Sequence, residues 1–152
     1  MVQAATTTNA YEGAKKPGQV VLVSDVAVND SDKTLTVPAN RLWMVDTVYA
    51  FLATSATVGL RRIYVEVRDA AAAMITLAVS DLSQVAGTSE HYTFRRSVLY
   101  RSEPVAGNHF CPLPCRWLPA GYSLRVYDQA VIDPAADDLT LRMVVIEYDL
   151  SP

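Results

Sequence analysis

The segment LPAGYSLRVYDQAVIDPAADDLTLRMVVIEYDL, residues 118–150, decides the fold of this chain. Apolar and polar residues alternate between Tyr122 and Asp128, and a period of two places alternate side chains on opposite faces of a sheet. A turn-rich stretch around Asp133 follows, and a second strand is predicted over residues 139–148. The segment therefore predicts a strand, a long turn and a strand.

The predicted strand 139–148 is apolar on both faces. Such a strand must be covered on both faces, and the core of its own domain provides only one cover. The other cover is a second sheet, a chain terminus or a neighbouring subunit. One face carries Val144, Ile146 and Tyr148, and we predict that the opposite face forms a subunit interface. The predicted interface residues are Leu139, Leu141, Met143 and Val145.

The composition limits the class of protein. At 152 residues one domain is expected, which buries roughly 70% of its extended surface and needs no metal or disulfide to hold its core. The net charge of −3 argues against a nucleic-acid partner. Two cysteines are too few for a disulfide scaffold, which fits synthesis in a reducing cytoplasm. Neither a signal peptide nor a membrane-length apolar run is present, so no membrane partner is expected.

Residues 1–18 are rich in Ala, Thr, Asn and Gly and have no core periodicity. We predict that they form a flexible arm, and that residues 19–152 form a β domain. The arm is either a disordered terminus or a segment that becomes ordered against a neighbour. In the second case Tyr11 is the expected anchor, and Lys15 and Lys16 belong to the contact.

The pattern between the arm and the last strand predicts an all-β fold with no helix. The alanines at residues 70–73 allow a helix capped by Asp69, but a turn fits the alternation of Ile75 and Leu77 better. Residues 104–114 are predicted to be a loop because they are rich in Pro, Gly and Asn. About eight strands at this spacing suit a jelly-roll-like antiparallel β-sandwich or a barrel. The predicted strands span residues 19–28, 34–37, 42–53, 60–69, 74–79, 90–98, 122–128 and 139–148.

Two segments of the chain are similar to each other in sequence. The turn sequences PAN, residues 38–40, and PAG, residues 119–121, precede strands that match one another at the same offset. A similarity of this kind suits two halves that use similar strand pairs, as in a double Greek key. Asn40 and Gly121 are the residue types that best tolerate the left-handed conformation of a tight turn.

His109, Cys111 and Cys115 form one cluster of metal-ligand residue types. A structural zinc site needs four ligands, so zinc is the less favoured alternative and no metal site is predicted. Extended chain between the two cysteines holds their sulfurs too far apart for a disulfide. We therefore interpret both cysteines as small apolar fillers near a sheet edge.

The remaining polar residues give no catalytic motif. No nucleophile elbow, phosphate loop or dinucleotide fingerprint is present, so we expect neither an enzyme nor a cofactor. A run of aspartates lacks the spacing of a calcium loop and is interpreted as turn chemistry: Asp128, Asp133, Asp137 and Asp138. Five arginines could bind an acidic surface, but assignment to the solvent faces of strands is the favoured interpretation: Arg61, Arg62, Arg95, Arg96 and Arg101.

Several stretches together carry a family resemblance. They are Trp43 after a Pro-Ala turn, TSATVGLRR at residues 54–62, Tyr92-Thr93-Phe94, LPAGY at residues 118–122 and DPAADD at residues 133–138. Over roughly residues 35–150 this pattern resembles small virion proteins of tailed bacteriophages. The chain departs from the pattern where alanines replace the usual Gly-Asn-type turn at residues 70–73.

The resemblance implies a jelly-roll β-sandwich and a role as a virion structural protein. The implied protein is a capsid cement or decoration protein, made in the host cytoplasm, that binds the major capsid protein on the outer surface of the head as a homotrimer. The alternative is a head- or tail-fibre module that binds a host glycan or receptor. An exposed aromatic platform of Tyr100, Phe110 or Trp117 would favour that alternative. A cupin-like enzyme is a third hypothesis, which metal analysis would test.

Overall fold

The computed structural model describes residues 17–28, 32–96, 98–99, 101–103, 107–113, 117–129, 132–133 and 135–152. Alternating burial along the described segments produces eleven strands, and no helix occurs among these residues. The strands are β1 Gln19–Asp25, β2 Asp32–Thr36, β3 Arg41–Ala53, β4 Ile63–Arg68, β5 Met74–Val79, β6 Ser89–Arg95, β7 Arg101–Glu103, β8 Asn108–Pro112, β9 Trp117–Pro119, β10 Ser123–Asp128 and β11 Asp138–Asp149.

The strands form two sheets that pack face to face. The seven-stranded sheet has the order β1-β11-β3-β6-β8-β7, with β9 pairing the start of β3, and the four-stranded sheet has the order β2-β10-β4-β5. Without β7, β8 and β9 the eight remaining strands, renumbered along the chain, have the orders 1-8-3-6 and 2-7-4-5. This is the strand order of a jelly roll, in which two Greek keys interlock. The predicted fold class is therefore confirmed.

The eight predicted strands correspond to these eight jelly-roll strands. The three additional strands lie between β6 and β10, and β8 occupies part of the segment 104–114 that was predicted to be a loop. That prediction is wrong because the period-two burial of His109 and Cys111 outweighs the neighbouring turn formers. The pairing of β6 with β8 is parallel, so the seven-stranded sheet is not antiparallel throughout.

The last strand lies second from the edge of the larger sheet, between β1 and β3. Its residues Leu139, Leu141, Met143 and Val145 belong to the core and are 0% exposed. The prediction that these four side chains form a subunit interface is corrected, because the four-stranded sheet of the same chain already covers them. The outward face of β11 carries Val144, Ile146 and Tyr148 instead.

The turns of the two similar segments lie side by side. Asn40 and Gly121 adopt positive φ angles of 58° and 80°, as their residue types predict. The Val37 N–H donates to the Tyr122 carbonyl at 2.9 Å, and the Gly121 N–H donates to the Val37 carbonyl at 3.0 Å. The predicted turn at residues 70–73 is confirmed as well, and its first residue, Ala70, lies against Gly121.

Replacing Gly121 by alanine is expected to lower the free energy of unfolding by about 1–2 kcal/mol, because an L-residue is strained in the left-handed conformation. The added Cβ would also lie 3.2 Å from the Cβ of Ala70. Gly87→Ala is the control, since Gly87 has a φ of 70° but nothing within 4 Å of the added Cβ. Urea unfolding measures both variants, and a larger loss for Gly87→Ala would contradict the role of the Ala70 contact.

Candidate docking surfaces

The outer surface of the seven-stranded sheet is apolar where β1, β11, β3 and β9 run side by side. Val20, Ile146, Met44 and Trp117 occupy one row across the four strands, since each is in register with the next. In the next row Leu22 is in register with Val144. A third row contains Tyr148. We use the name apolar face for the outward side chains of these three rows, which are Val20, Leu22, Met44, Trp117, Val144, Ile146 and Tyr148.

The apolar face extends to an open edge of the sheet. Val20 and Leu22 on β1 are 75% and 62% exposed, and β1 has no strand on its other side among the described residues. Natural edge strands are normally protected by lysine, proline or a bulge, and β1 with the sequence QVVLVSD has none of these. This edge is therefore suited to contact with another polypeptide.

Aromatic residues complete the sheet surface beside the apolar face. Tyr49 and Phe51 on β3 surround His91 on β6, and Tyr49 Oη lies 2.6 Å from His91 Nδ1. Phe110 on β8 is exposed, whereas Trp117 is half-buried against Tyr148. Of the predicted aromatic platform, Phe110 and Trp117 thus share one sheet surface, and Tyr100 lies outside the described residues.

A charged cleft of about 230 Å³ lies where the chain enters the fold, lined by Pro17, Gln19, Arg41, Glu147 and Asp149. Arg41 pairs with both carboxylates, and Trp43 Nε1 donates to Glu147 Oε2 at 2.7 Å. Hydrogen bonds from Ser151, followed by the charge of Arg41, lower the pKa of Asp149. The cleft therefore contains two carboxylates and one guanidinium. The predicted arm residues Tyr11, Lys15 and Lys16 lie outside the described residues.

The backbone beside the cleft passes directly under the apolar face. A Cβ on Gly18 would lie 2.4 Å from Ile146 Cγ2 and 2.7 Å from the Tyr148 ring. The side chains of Ile146 and Tyr148 occupy the space that a Cβ on Gly18 would need. A larger residue could therefore replace Gly18 only if these two side chains moved. The chain thus enters the domain next to the apolar face.

The opposite end of the domain is organised by a buried ion pair. Arg61 and Asp137 are both fully buried, with Nε–Oδ2 and Nη2–Oδ1 distances of 2.7 and 3.0 Å. Arg61 also donates to the carbonyls of Thr57 and Gly59. Asp137 accepts the Ser55 N–H at 2.7 Å. The assignment of Arg61 to a solvent face is therefore wrong, because this arginine holds two loops together.

The aspartate run contributes to the same network. Asp133 Oδ2 accepts the Ser55 and Thr57 hydroxyls at 2.9 and 2.8 Å. Burial alone would raise the pKa of Asp137, but the hydrogen bonds from Arg61 and Ser55 outweigh it and hold the pKa below its ordinary value. The interpretation of these aspartates as turn chemistry is consistent with this network. Two of the five stretches that carry the family resemblance, residues 54–62 and 133–138, meet here.

Two members of the histidine and cysteine cluster, His109 and Cys111, lie on the buried face of β8. Cys111 is buried and reduced, and burial raises the pKa of its thiol to about 11. His109 stacks on Tyr92 at 4.7 Å, and its Nε2 lies 2.5 Å from Glu90 Oε2. Cys115 lies outside the described residues. Within the described part of the chain, no group of three His, Cys, Asp or Glu side chains could hold a metal ion.

The outer surface of the four-stranded sheet carries paired charges, with the exposed side chains of Ile75 and Leu77 on its edge strand β5. Arg125 and Asp32 form hydrogen bonds of 2.6–3.0 Å, and the Arg125 guanidinium lies 4.3 Å from the centre of the Tyr127 ring. Tyr127 stacks on Tyr64 at 5.5 Å. A hydrogen bond from Arg68, with the charges of Arg68 and Arg125, lowers the pKa of Glu66. The exposed large apolar side chains in the described part of this sheet lie on β5, whereas the apolar face extends over four strands.

No protein-family model matches the chain, and a search of the curated proteins finds no match. Among solved structures, dimeric latent PorU from Porphyromonas gingivalis is 16% identical with a TM-score of 0.40, over 91% of this chain and 14% of that chain. The VP2 subviral particle of infectious bursal disease virus is 8% identical with a TM-score of 0.37, over 91% and 38%. The Gx strain of that virus gives 8% and 0.38, over 91% and 38%.

The chain therefore spans well under two thirds of each of these proteins. The similar structures include viral capsid proteins. At these identities and TM-scores the likeness does not indicate a function. No helix among the described residues is long and apolar enough to cross a membrane.

Proposed function

We propose that the chain is a virion structural protein, a capsid cement or decoration protein that binds the major capsid protein on the outer surface of a bacteriophage head as a homotrimer. The observation that carries the proposal is the apolar face that reaches the open edge at β1. Large apolar patches on a compact domain mark sites of protein association. The jelly-roll core is closed within one chain, so this patch is available for assembly.

The occupant we propose for the apolar face is a second copy of the chain. The most exposed part of the face, Val20 and Leu22, coincides with the open edge of β1. A neighbouring copy that packs against this edge covers both the apolar side chains and the unpaired backbone groups. A head-to-tail contact of this kind closes into a ring when the rotation between copies is a third of a turn.

The arm extends the proposed assembly towards the capsid. Lys15 and Lys16 precede a cleft that contains Glu147 and Asp149, and opposite charges favour a fixed exit direction for the arm. Tyr11 is the proposed anchor on the major capsid protein, reached by strand addition or by wrapping. Three arms in one trimer act together and strengthen a weak individual contact. The proposal includes no catalysis, cofactor, nucleic acid or membrane.

The purified protein is expected to have the mass of a trimer by light scattering, and Leu22→Asp is expected to give monomers, because a carboxylate on the apolar face loses its hydration in the contact. Leu22 is so exposed that the change leaves the fold intact, which circular dichroism checks. Thr36→Asp, on the exposed surface of the four-stranded sheet, is the matched control and keeps the wild-type mass. A wild-type monomer at micromolar concentration contradicts the trimer.

Particles that lack this protein test the capsid role directly. Purified wild-type protein is expected to rebind such particles at regular threefold or pseudo-threefold positions. Deletion of residues 1–18 is expected to abolish or strongly weaken rebinding while the trimer persists. If the deletion variant rebinds as well as the wild type, the arm has no role in docking.

A fibre module that binds a host glycan is the second candidate. The observation in its favour is the Tyr64–Tyr127 stack beside Arg125, since sugars bind to aromatic rings flanked by polar groups. The Tyr64 hydroxyl donates to Gln129 Oε1 at 2.5 Å on the same surface. A glycan array with the wild type and Tyr127→Ala distinguishes the candidates, since specific binding that Tyr127→Ala removes supports the fibre module.

A further inference from the structure

Three loops meet at one end of the jelly roll: residues 54–62, residues 80–88, and a third loop described at residues 129, 132–133 and 135–137. The first two expose large apolar side chains. We call this region the loop end. Val58 is 92% exposed and Leu60 is 61% exposed, and Val85 is exposed on the neighbouring loop. An isolated exposed valine needs no explanation, whereas a cluster at one end of a rigid domain indicates a contact site.

The backbone brings Leu60 and Val85 together. Arg61 and Gln84 form an antiparallel bridge in which each N–H donates to the other carbonyl, at 2.9 and 2.8 Å. Both bridge side chains are buried, so the flanking residues Leu60 and Val85 point outward on the same side. Val58 precedes them on the same loop, and Gly59 between them packs against Ile132 from the third loop.

The loop end is held in place before any partner binds. The Arg61–Asp137 pair joins the first and third loops from inside. The Gln84 amide donates to the carbonyls of Leu52 and Thr88 at 2.9 Å, which fixes the second loop. An apolar contact that is already ordered loses little conformational entropy when a partner covers it.

The surroundings of these apolar side chains are acidic. Arg61 is neutralised by Asp137, and Arg62 Nη2 is directed at the Asp81 carbonyl at 2.8 Å. Asp133 is half-exposed. It lies next to Val58, since it accepts a hydrogen bond from the hydroxyl of the preceding residue, Thr57. The buried residues Asp128, Asp137 and Arg61 do not reach this surface. Of the half-exposed charged side chains at the loop end, Asp81, Asp133 and Asp138 are acidic and Arg62 is basic. The acidic side chains of the border therefore outnumber the basic one.

We propose that the loop end, at the opposite end of the domain from the arm, is a second surface that docks on the major capsid protein, and that it fits an apolar pocket bordered by lysine or arginine side chains. This inference rests on the proposed function and adds the contact residues and the chemistry of the partner site. The acidic border selects a basic pocket and disfavours an anionic lipid surface, which repels carboxylates. The apolar face then remains for the contact between copies.

Rebinding of the double variant Val58→Ser/Leu60→Ser to particles that lack the protein tests the inference. An affinity at least about tenfold lower than that of the wild type is expected, since buried apolar anchors each contribute more than about 1 kcal/mol. Wild-type affinity is also expected to fall as salt rises from about 50 to about 500 mM, because ionic screening weakens contact between an acidic border and a basic pocket. Met74→Ser is the matched control: Met74 is 61% exposed at the opposite end of the domain, and this variant is expected to rebind like the wild type.

Each result of this experiment separates the two proposals. If the wild type does not rebind particles, the proposed function is wrong and the inference falls with it. If the wild type rebinds and the double variant, still folded and trimeric, rebinds within twofold of it, only the inference is overturned. Flotation with vesicles of phosphatidylcholine and phosphatidylglycerol provides the lipid control, and wild-type binding that the double variant loses also overturns the inference.

Discussion

Replacing Asp137 by alanine is expected to lower the free energy of unfolding by about 3–5 kcal/mol, because the change leaves the Arg61 guanidinium buried without its counter-charge. Both side chains are fully buried, and the pair is bidentate. The Ser55 N–H loses its acceptor at the same time. Urea unfolding followed by tryptophan fluorescence measures the loss.

Two further variants show whether the unpaired charge causes this loss. Arg95→Ala removes an exposed pair with Asp46 at 3.7 Å and is expected to cost less than about 1 kcal/mol. The double variant Arg61→Met/Asp137→Leu is expected to recover part of the loss, because no charge remains buried. A loss below about 1 kcal/mol in Asp137→Ala would contradict a structural role for the pair.

The same ion pair makes the free energy of unfolding depend on pH. The pKa of Asp137 is lower in the folded chain than its ordinary value, although burial alone would raise it, because Arg61 and Ser55 donate to the carboxylate. Its contribution is therefore fully present above the pKa of the unfolded chain, about 4, and is lost as the pH falls through the lower folded value. The difference in stability between the wild type and Asp137→Ala is expected to shrink across that window.

The sequence indicated one member of this ion pair, Arg61, but not the other. Arg61 lies two and four residues before Ile63 and Val65, whose side chains the alternation of β4 places in the core. The same alternation directs the Arg61 side chain inward. A charged residue at an inward position indicates a buried partner. The partner could not be identified, because Asp137 is 76 residues away and its neighbours Asp133 and Asp138 have similar turn contexts.

The eight jelly-roll strands could be predicted because each has its own period-two pattern and turn residues at its ends. Strand β8 could not, since it is short, ends in proline and pairs in parallel with β6, a choice that depends on tertiary packing. The sequence also could not predict which face of β11 points into the core. Both of its faces are apolar, and only the position of the second sheet decides which face is inside.

Leu141→Ala is therefore expected to lower the free energy of unfolding by about 2–5 kcal/mol, as for a leucine truncated in a packed core. Leu141 is fully buried in the core cluster of a single chain. Adjacent valines on the same strand provide the matched control. Val145→Ala removes a buried side chain and is expected to cost more than Val144→Ala, whose side chain lies on the apolar face.

The protein concentration distinguishes a core role from an interface role for Leu141. Unfolding measured at two concentrations is expected to give the same loss for Leu141→Ala, because the leucine packs within one chain. An interface residue would instead change the concentration dependence of unfolding, since it acts through association. If Leu141→Ala dissociated the trimer while the monomer kept its stability, the inward direction of this face would be contradicted and the original interface prediction restored.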